Sequence, residues 1–269
     1  HFCWEDIDGD LGKDAWIISR RNAGIRCYGF LKAYQLGAEV IITLDDDCYP
    51  AGKDFVRKHQ ENLSLKSPEG WFTSYPHSEF YYTRGFPYKI RNKYPVVLSH
   101  GLWNGAIDLD AQTEARIGRV DIKPLNYPLR FFLPKDYFFP MCSMNLAFRR
   151  EITPLMYFPL MGKNWSYDRF DDIWAGIFVK KILDHLNLSV VSGRPFINHQ
   201  KASKINANLE SEKKGIKDNE WFWKKVEKVQ LKSKMPKDCY LELSQKIAFP
   251  KKEYFQKLRQ AMAIWANLF

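Results

Sequence analysis

The chain has 269 residues, 45% hydrophobic and 16% aromatic, enough to bury one substantial core as one large domain or two small ones, which excludes a disordered polymer. No apolar run reaches the roughly 18 residues of a membrane span, and the opening HFCWEDIDGD lacks the basic and then apolar pattern of a signal peptide, so a cytosolic enzyme is the expectation. The formal charge of +10 fits a nucleic-acid binder, but the lysines cluster late in the chain and the acids gather elsewhere, which favours a basic surface that attracts anionic nucleotides or packs on a partner.

Ala15 to Ser19 reads as a strand, followed by a helix in which Ile25, Tyr28, Leu31 and Tyr34 recur every three residues. Gly37 is a natural stop before a strand at Glu39 to Leu44, which makes a β-α-β unit and predicts a parallel sheet. The second strand runs straight into Asp45, Asp46 and Asp47. Three adjacent carboxylates repel one another unless a cation neutralises them, and hard divalent ions prefer such oxygen ligands, with substrate phosphates completing the shell. A solvated acidic turn, a nuclease or phosphatase metal site and the metal–diphosphate site of a nucleotide-sugar enzyme all fit this string; the last fits best. Arg20, Arg21 and Arg26 lie on or before the preceding helix, and a guanidinium fork suits a diphosphate.

From Trp71 to about Leu133, dense aromatics, Pro and Gly predict loops and short strands that shape a pocket. Phe138 to Phe148 reads as a buried strand region. Asp171 and Asp172 then open a helix with the apolar stripe Ile173, Trp174, Ile177, Phe178, Ile182 and Leu186. Leu188 to Val191 reads as a further strand leading through Gly193 and Pro195 to His199. Beyond Lys201 the chain turns polar and basic and ends in an amphipathic helix with Tyr254, Leu258, Met262 and Trp265 on one face. The division expected is a catalytic α/β domain over 1–205 and a helical C-terminal extension over 206–269, an appendage or an oligomer contact. Cys3, Cys27, Cys48, Cys142 and Cys239 are odd in number and scattered, without zinc spacing or a disulfide framework, and read as reduced core residues.

A strand ending in an acidic trio, a helix opening with an acidic pair and a late His is the order of a type A glycosyltransferase fold. Whole phrases, among them IRCYGFLKAY, TLDDDCY, TRGFPYKIR, FPMCSMNLAFRREITPLMYFPLMG, DRFDDIWAG and KILDHLNLSVVSGRPFINHQKAS, resemble the reversibly glycosylated polypeptides, the UDP-arabinopyranose mutase family, over nearly the whole chain. The resemblance implies an α/β, Rossmann-like fold with a mainly parallel central sheet flanked by helices. It implies a further N-terminal β-α-β stretch ahead of this sequence. It also implies a UDP-sugar substrate, Mn²⁺ or Mg²⁺, a likeness to homo-oligomers, and a part in cell-wall polysaccharide synthesis.

Residue by residue, the resemblance makes Asp45 and Asp47 metal ligands with His199, and Asp45 and Asp46 part of the diphosphate motif. Arg84 matches an Arg that the family is reported to glycosylate; a guanidinium is a poor nucleophile, so holding the diphosphate or the migrating sugar is an equal reading. Asp171 and Asp172 match the pair that faces the sugar and moves protons or stabilises a cationic ring. Arg20, Arg26 and Trp103 are placed at the nucleotide, Trp103 being a core aromatic on its own pattern. His100, Asp108 and Asp110 lie in matching phrases without an assigned role. Lys163-Asn164-Trp165-Ser166 departs from the family's Gly- and Asp-containing loop, which puts the sugar preference in doubt. Pyranose–furanose interconversion of a UDP-pentose is the expected reaction; a metal-dependent glycosyltransferase using a UDP-sugar donor is the alternative, and a non-catalytic assembly partner is a third.

Overall fold

The structure, a computed structural model, describes residues 1–73, 81–122, 130–200 and 205–269. Parts of the aromatic-rich stretch (74–80 and 123–129) and the segment just before the expected domain boundary (201–204) lie outside the described residues.

Helix α1 (Trp4–Leu11) leads through 3₁₀ turns at Gly12–Ile17 and Ala23–Ile25 into α2 (Arg26–Gln35). Gly37, at φ +81°, ends α2 as expected. Its N–H donates to Tyr34 O at 3.0 Å and that of Ala38 to Ala33 O at 3.0 Å, the paired closure that a left-handed residue permits. Strands β1 (Val40–Leu44) and β2 (Cys48–Pro50), α3 (Phe55–Leu63), β3 (Lys66–Ser67), β4 (Tyr94–Ala106) and α4 (Ala111–Ile117) follow. Then come β5 (Asp121–Ile122), β6 (Arg130–Phe132), β7 (Asn145–Arg149), α5 (Asp171–His185), β8 (Ser189–His199), α6 (Ile205–Glu227), α7 (Pro236–Lys246) and α8 (Glu253–Ala266).

This is a mixed α/β architecture whose sheet, in the order β1-β7-β4-β8-β2 with β3 and β5 on β4 and β6 on β8, is flanked by helices. Three expectations need correction. Residues 15–19 form no strand: Ile17 and Ile18 are both buried, and their segment bonds to a distant one, Tyr157 Oη donating to Ile17 O at 2.7 Å and Met161 N to Ser19 Oγ at 3.1 Å. A four-residue apolar run cannot tell strand from buried turn by periodicity. The sheet is also not mainly parallel among the described ladders, since only β4 with β8 is parallel. Because β7 lies antiparallel between β1 and β4, however, β1, β4 and β8 share one direction and their carboxyl ends meet at one edge, with the amino end of β7. Finally, the stretch expected to hold only loops and short strands contains the 13-residue central strand β4.

Sequence composition hid β4 because of its Gly residues, and packing explains them. Between Gly101↔Gly193 and Leu102↔Phe196 the β4–β8 register shifts, leaving Arg194 and Pro195 without partners on β4. Asn145 fills the gap: its Nδ2 donates to Leu102 O and Pro195 O, both at 2.9 Å, and a Cβ on Gly101 would lie 2.1 Å from that nitrogen. With both amide hydrogens used, Asn145 Oδ1 accepts from His59 Nε2 at 2.9 Å, so His59 Nδ1 takes the Ser99 hydroxyl proton at 2.9 Å. Burial pushes His59 down to about 4, keeping the imidazole neutral as this network requires. Asn62 completes it, donating to Ser99 Oγ at 2.8 Å and Arg194 O at 2.6 Å.

The larger core lies on the other side. Trp174 of α5 stacks on Phe222 of α6, ring centroids 4.2 Å apart, and the α8 face of Tyr254, Leu258, Met262 and Trp265 is buried in the same apolar cluster. Tyr254 Oη donates to Leu160 O at 2.8 Å and Trp265 Nε1 to Pro154 O at 3.0 Å, so each large amphipathic ring brings its polar atom to a partner. Among the described residues, no helix is long and apolar enough to cross a membrane.

Gly101→Ala drives a methyl group into the Asn145 amide. It should lower the unfolding free energy by about 1–3 kcal/mol in urea titration, and an unchanged midpoint would show that Asn145 is not wedged there.

Candidate active site

The carboxyl ends of β1, β4 and β8 deliver acids to one edge because β1 stops at Leu44 and the three aspartates form the turn into β2. Cys48 N donates to Asp45 O at 3.2 Å, closing that turn, and Gln200 N donates to Asp47 O at 3.0 Å, tying it to the end of β8. Asp46 points outward and is exposed, whereas Asp45 and Asp47 are partly covered.

Asp47 and His199 come together as expected, Oδ2 and Nε2 being 3.6 Å apart. His199 Nδ1 lies 2.9 Å from Ala106 O, and a carbonyl only accepts, so Nδ1 carries a proton and Nε2 is the atom turned to Asp47. A metal-binding His is oriented by a second-shell acceptor in this way. Cys48 completes a group whose ligand atoms all lie within 4.8 Å of one another. Its thiol is pushed up by burial and then by Asp45 and Asp47, and a hard cation prefers the carboxylate and imidazole to sulfur. The donor set therefore fits a divalent ion, with Asp47 and His199 as its core.

Asp45 is engaged differently. Arg26 Nη2 pairs with its Oδ1, while Arg26 Nη1 donates to Ser143 Oγ at 2.8 Å and Ser143 O at 3.2 Å. Ser143 in turn donates to Asp172 Oδ2, from its N–H at 3.0 Å and its hydroxyl at 3.2 Å. One chain of contacts thus runs from the aspartate turn through Arg26 and Ser143 to the acid pair at the start of α5.

Asp171 is 4% exposed, and Asp172 accepts from Ile173 N at 2.8 Å through its second oxygen. Burial raises both carboxyls, Asp171 to about 6 and Asp172 to about 7, the latter pushed further by Asp171 and Asp108 and held back by the Ser143 donors. The pair therefore titrates as a unit near neutrality. One member can donate a proton while the other accepts one.

The structure does not bring every expected residue here. Arg20 is paired with Asp8 and lies over the Trp4 ring, 5.7 Å from its centroid. Arg84 is exposed at a turn closed by Phe86 N donating to Thr83 O at 3.1 Å. Phe86 packs on Trp71 and Tyr82, and Arg91 Nη2 donates to Phe86 O. Among the described residues, these contacts fall within the excursion that joins β3 to the start of β4, and none reaches the acid edge. Trp103 is half-buried against Cys48, Phe55, Cys142, Met144 and Ile197, as a core aromatic behind the site.

Roles now appear for two residues that lacked one. His100 accepts from Cys142 N at 3.2 Å through Nε2, so its Nδ1 donates to Ser192 Oγ at 3.0 Å; burial pushes it down to about 4, a neutral brace between β4, β8 and the segment before β7. Asp110 caps α4, its Oδ1 accepting from Thr113 N at 2.9 Å. Sequence reasoning missed Ser143, whose one signal was a hydroxyl between the apolar Met141-Cys142 and Met144. In the divergent loop, Trp165 lies against Trp16 and Tyr254, with centroids 6.3 and 6.4 Å away.

A family model described as reversibly glycosylated polypeptide matches residues 2–269. The chain is 38% identical to "Probable UDP-arabinopyranose mutase 2" of Solanum tuberosum over 97% of this chain and 74% of that protein. It is 37% identical to "UDP-arabinopyranose mutase 1" of Arabidopsis thaliana, over 97% of this chain and 76% of that one. "UDP-arabinopyranose mutase 1" of Oryza sativa subsp. japonica is 36% identical, with 97% and 74% covered.

A carboxyl whose folded pKa is raised from 3.8 to about 7 lends stability below 3.8 that is lost as pH rises through 7. Asp172→Asn should therefore gain on the wild type in melting temperature as pH is raised from 5 to 8, whatever its offset at pH 5. A difference that stays constant with pH would mean that Asp172 is not held protonated.

Proposed function

Because the chain belongs to the reversibly glycosylated polypeptide family, we propose that it is a UDP-sugar mutase interconverting the pyranose and furanose forms of a UDP-pentose, UDP-arabinopyranose and UDP-arabinofuranose. The observation that carries the reading is the joining of the aspartate turn to the acid pair through Arg26 and Ser143. Relatives named as mutases support the same sugar. Family likeness also underlies the setting we infer, a cytoplasmic protein in cell-wall polysaccharide synthesis.

Ring contraction breaks the bond from the anomeric carbon to the phosphate, closes O4 on C1, breaks the C1–O5 bond and re-forms the phosphate bond. O4 gives up a proton and O5 gains one, an exchange that a carboxylate beside a carboxylic acid can carry out while UDP is retained. Asp171 and Asp172 suit that exchange, since burial and mutual repulsion leave the pair part-protonated near pH 7. Arg26, whose Nη atoms hold Ser143 and Asp45, would turn its remaining N–H groups and its charge to the diphosphate as charge develops there. Asp47 and His199 would hold Mn²⁺ or Mg²⁺, with Asp45 and Asp46 beside them. When bound, that ion supplies Lewis-acid stabilisation of the diphosphate. Arg20, Arg84 and Trp103 have no part in this assignment.

Incubation with UDP-arabinopyranose and Mn²⁺, without an acceptor, should yield UDP-arabinofuranose in the anomeric-proton NMR spectrum. Release of UDP with no isomer would overturn the mutase and turn the search to a transferase acceptor. Single Asp171→Asn and Asp172→Asn substitutions should each lower kcat by about 100-fold or more; full turnover in both would remove the proton role. In calorimetric titration, Asp47→Ala and His199→Ala should weaken Mn²⁺ binding at least about tenfold, and unchanged affinity in both would place the ion elsewhere.

A further inference from the structure

We propose that Ser143 is a positioning residue of this reaction, the joint that holds Arg26 and Asp172 in register; the inference rests on the mutase reading. Ser143 is 2% exposed and sits just ahead of β7, where the segment crosses between the aspartate turn and α5. Arg26 can only donate, so the hydroxyl accepts from Arg26 and sends its single proton to Asp172. The backbone repeats the pattern, its carbonyl accepting from Arg26 and its N–H donating to Asp172. All four polar positions of one residue are therefore directed at two charged side chains. A serine needed only for packing would show no such division.

The arrangement has a chemical consequence. Two donors on Asp172 Oδ2 favour its ionised form, in opposition to burial. Among the described residues, the charged and titratable groups that act most on the acid pair are Asp171 and Asp168 on its own segment, Asp108 beyond β4, Arg26 on α2, the Cys27 and Cys142 thiols, and the Tyr254 hydroxyl. Of these, only Arg26 carries positive charge, and Ser143 fixes where it stands. Should the sugar's O4 and O5 be served by Asp171 and Asp172 while Arg26 serves the diphosphate, Ser143 sets the distance between the two tasks.

The test compares wild type, Ser143→Ala, Asp172→Asn and the double variant. Melting temperatures are read from pH 5 to 8. Loss of a donor to the ionised carboxylate should make the Ser143→Ala deficit grow as pH rises through about 7, and this growth should vanish in the Asp172→Asn background. In turnover of UDP-arabinopyranose, kcat should fall about tenfold, as loss of one charge-assisted hydrogen bond implies, with the pH limb of the acid pair displaced upward and KM raised through Arg26. Ser143→Cys, close in volume and a weaker donor, should move each reading the same way by less, and serves if the alanine variant does not fold. A deficit that is flat with pH in both backgrounds overturns the proposal, whether or not the wild type isomerises the sugar. Absence of isomer from the wild type, with the pH-dependent deficit intact, overturns the mutase reading and supports the joint.

Discussion

Arg194 and Pro195 have no counterpart on β4, and the gap between the two central strands is bridged by the side-chain amide of Asn145. Beyond the gap β8 resumes its pairing with β4 and arrives with His199 opposite Gly105 and, on its other side, opposite Cys48. Gly105 is needed at that point, because a Cβ there would sit 2.7 Å from His199 O. A two-residue slip would carry His199 away from Asp47. The neutral His59 and the two amides of Asn62 and Asn145 thus fix a register, and the register fixes the Asp47–His199 pair. Buried polar networks specify one arrangement only when their members find partners; here the amide hydrogens of Asn145 and both ring nitrogens of His59 do, while Asn62 Oδ1 is left without one.

Electrostatics at the edge runs against the chain's overall sign. The protein carries +10, yet among the described residues the leading influences on the acid pair are burial and other carboxylates, with Arg26 the cation that opposes them at Asp171. Asp171 and Asp172 sit in the first turn of α5, where a helix dipole favours negative charge by about 0.3–1 kcal/mol. Raising Asp171 from 3.8 to about 6 corresponds to about 3 kcal/mol at 1.36 kcal/mol per unit. Burial therefore outweighs the dipole, and a placement that would otherwise stabilise a helix start instead yields carboxyls that exchange protons near neutral pH.

Where local pattern and tertiary role coincided, the sequence was readable. The acidic trio after β1, the α5 stripe opened by the acid pair, Gly37 after α2 and the α8 face all follow from spacing that one element alone determines. Ala15–Ser19 misled because its buried residues meet side chains from the Tyr157–Met161 segment, partners far away in sequence. β4 was obscured for a related reason: Gly101 and Gly105 weaken a strand in isolation and are required only by Asn145 and the β8 backbone. Ser143 carries no local signal beyond its hydroxyl, since its partners come from α2 and α5. The residues themselves pointed to the aspartates and to the Arg20–Arg26 cluster, and resemblance to a family added His199; Arg20 pairs with Asp8 in the fold.

The thiols near the edge have a bearing on durability. Cys142 is buried beside Asp108, Asp172 and Asp45, Cys48 beside Asp45 and Asp47, and burial and these carboxylates together hold both sulfurs in the protonated form. The thiolate is the species that peroxide and alkylating agents attack. The carboxylates that crowd this edge therefore lower the thiolate fraction, and with it the reactivity, of the two sulfurs beside them.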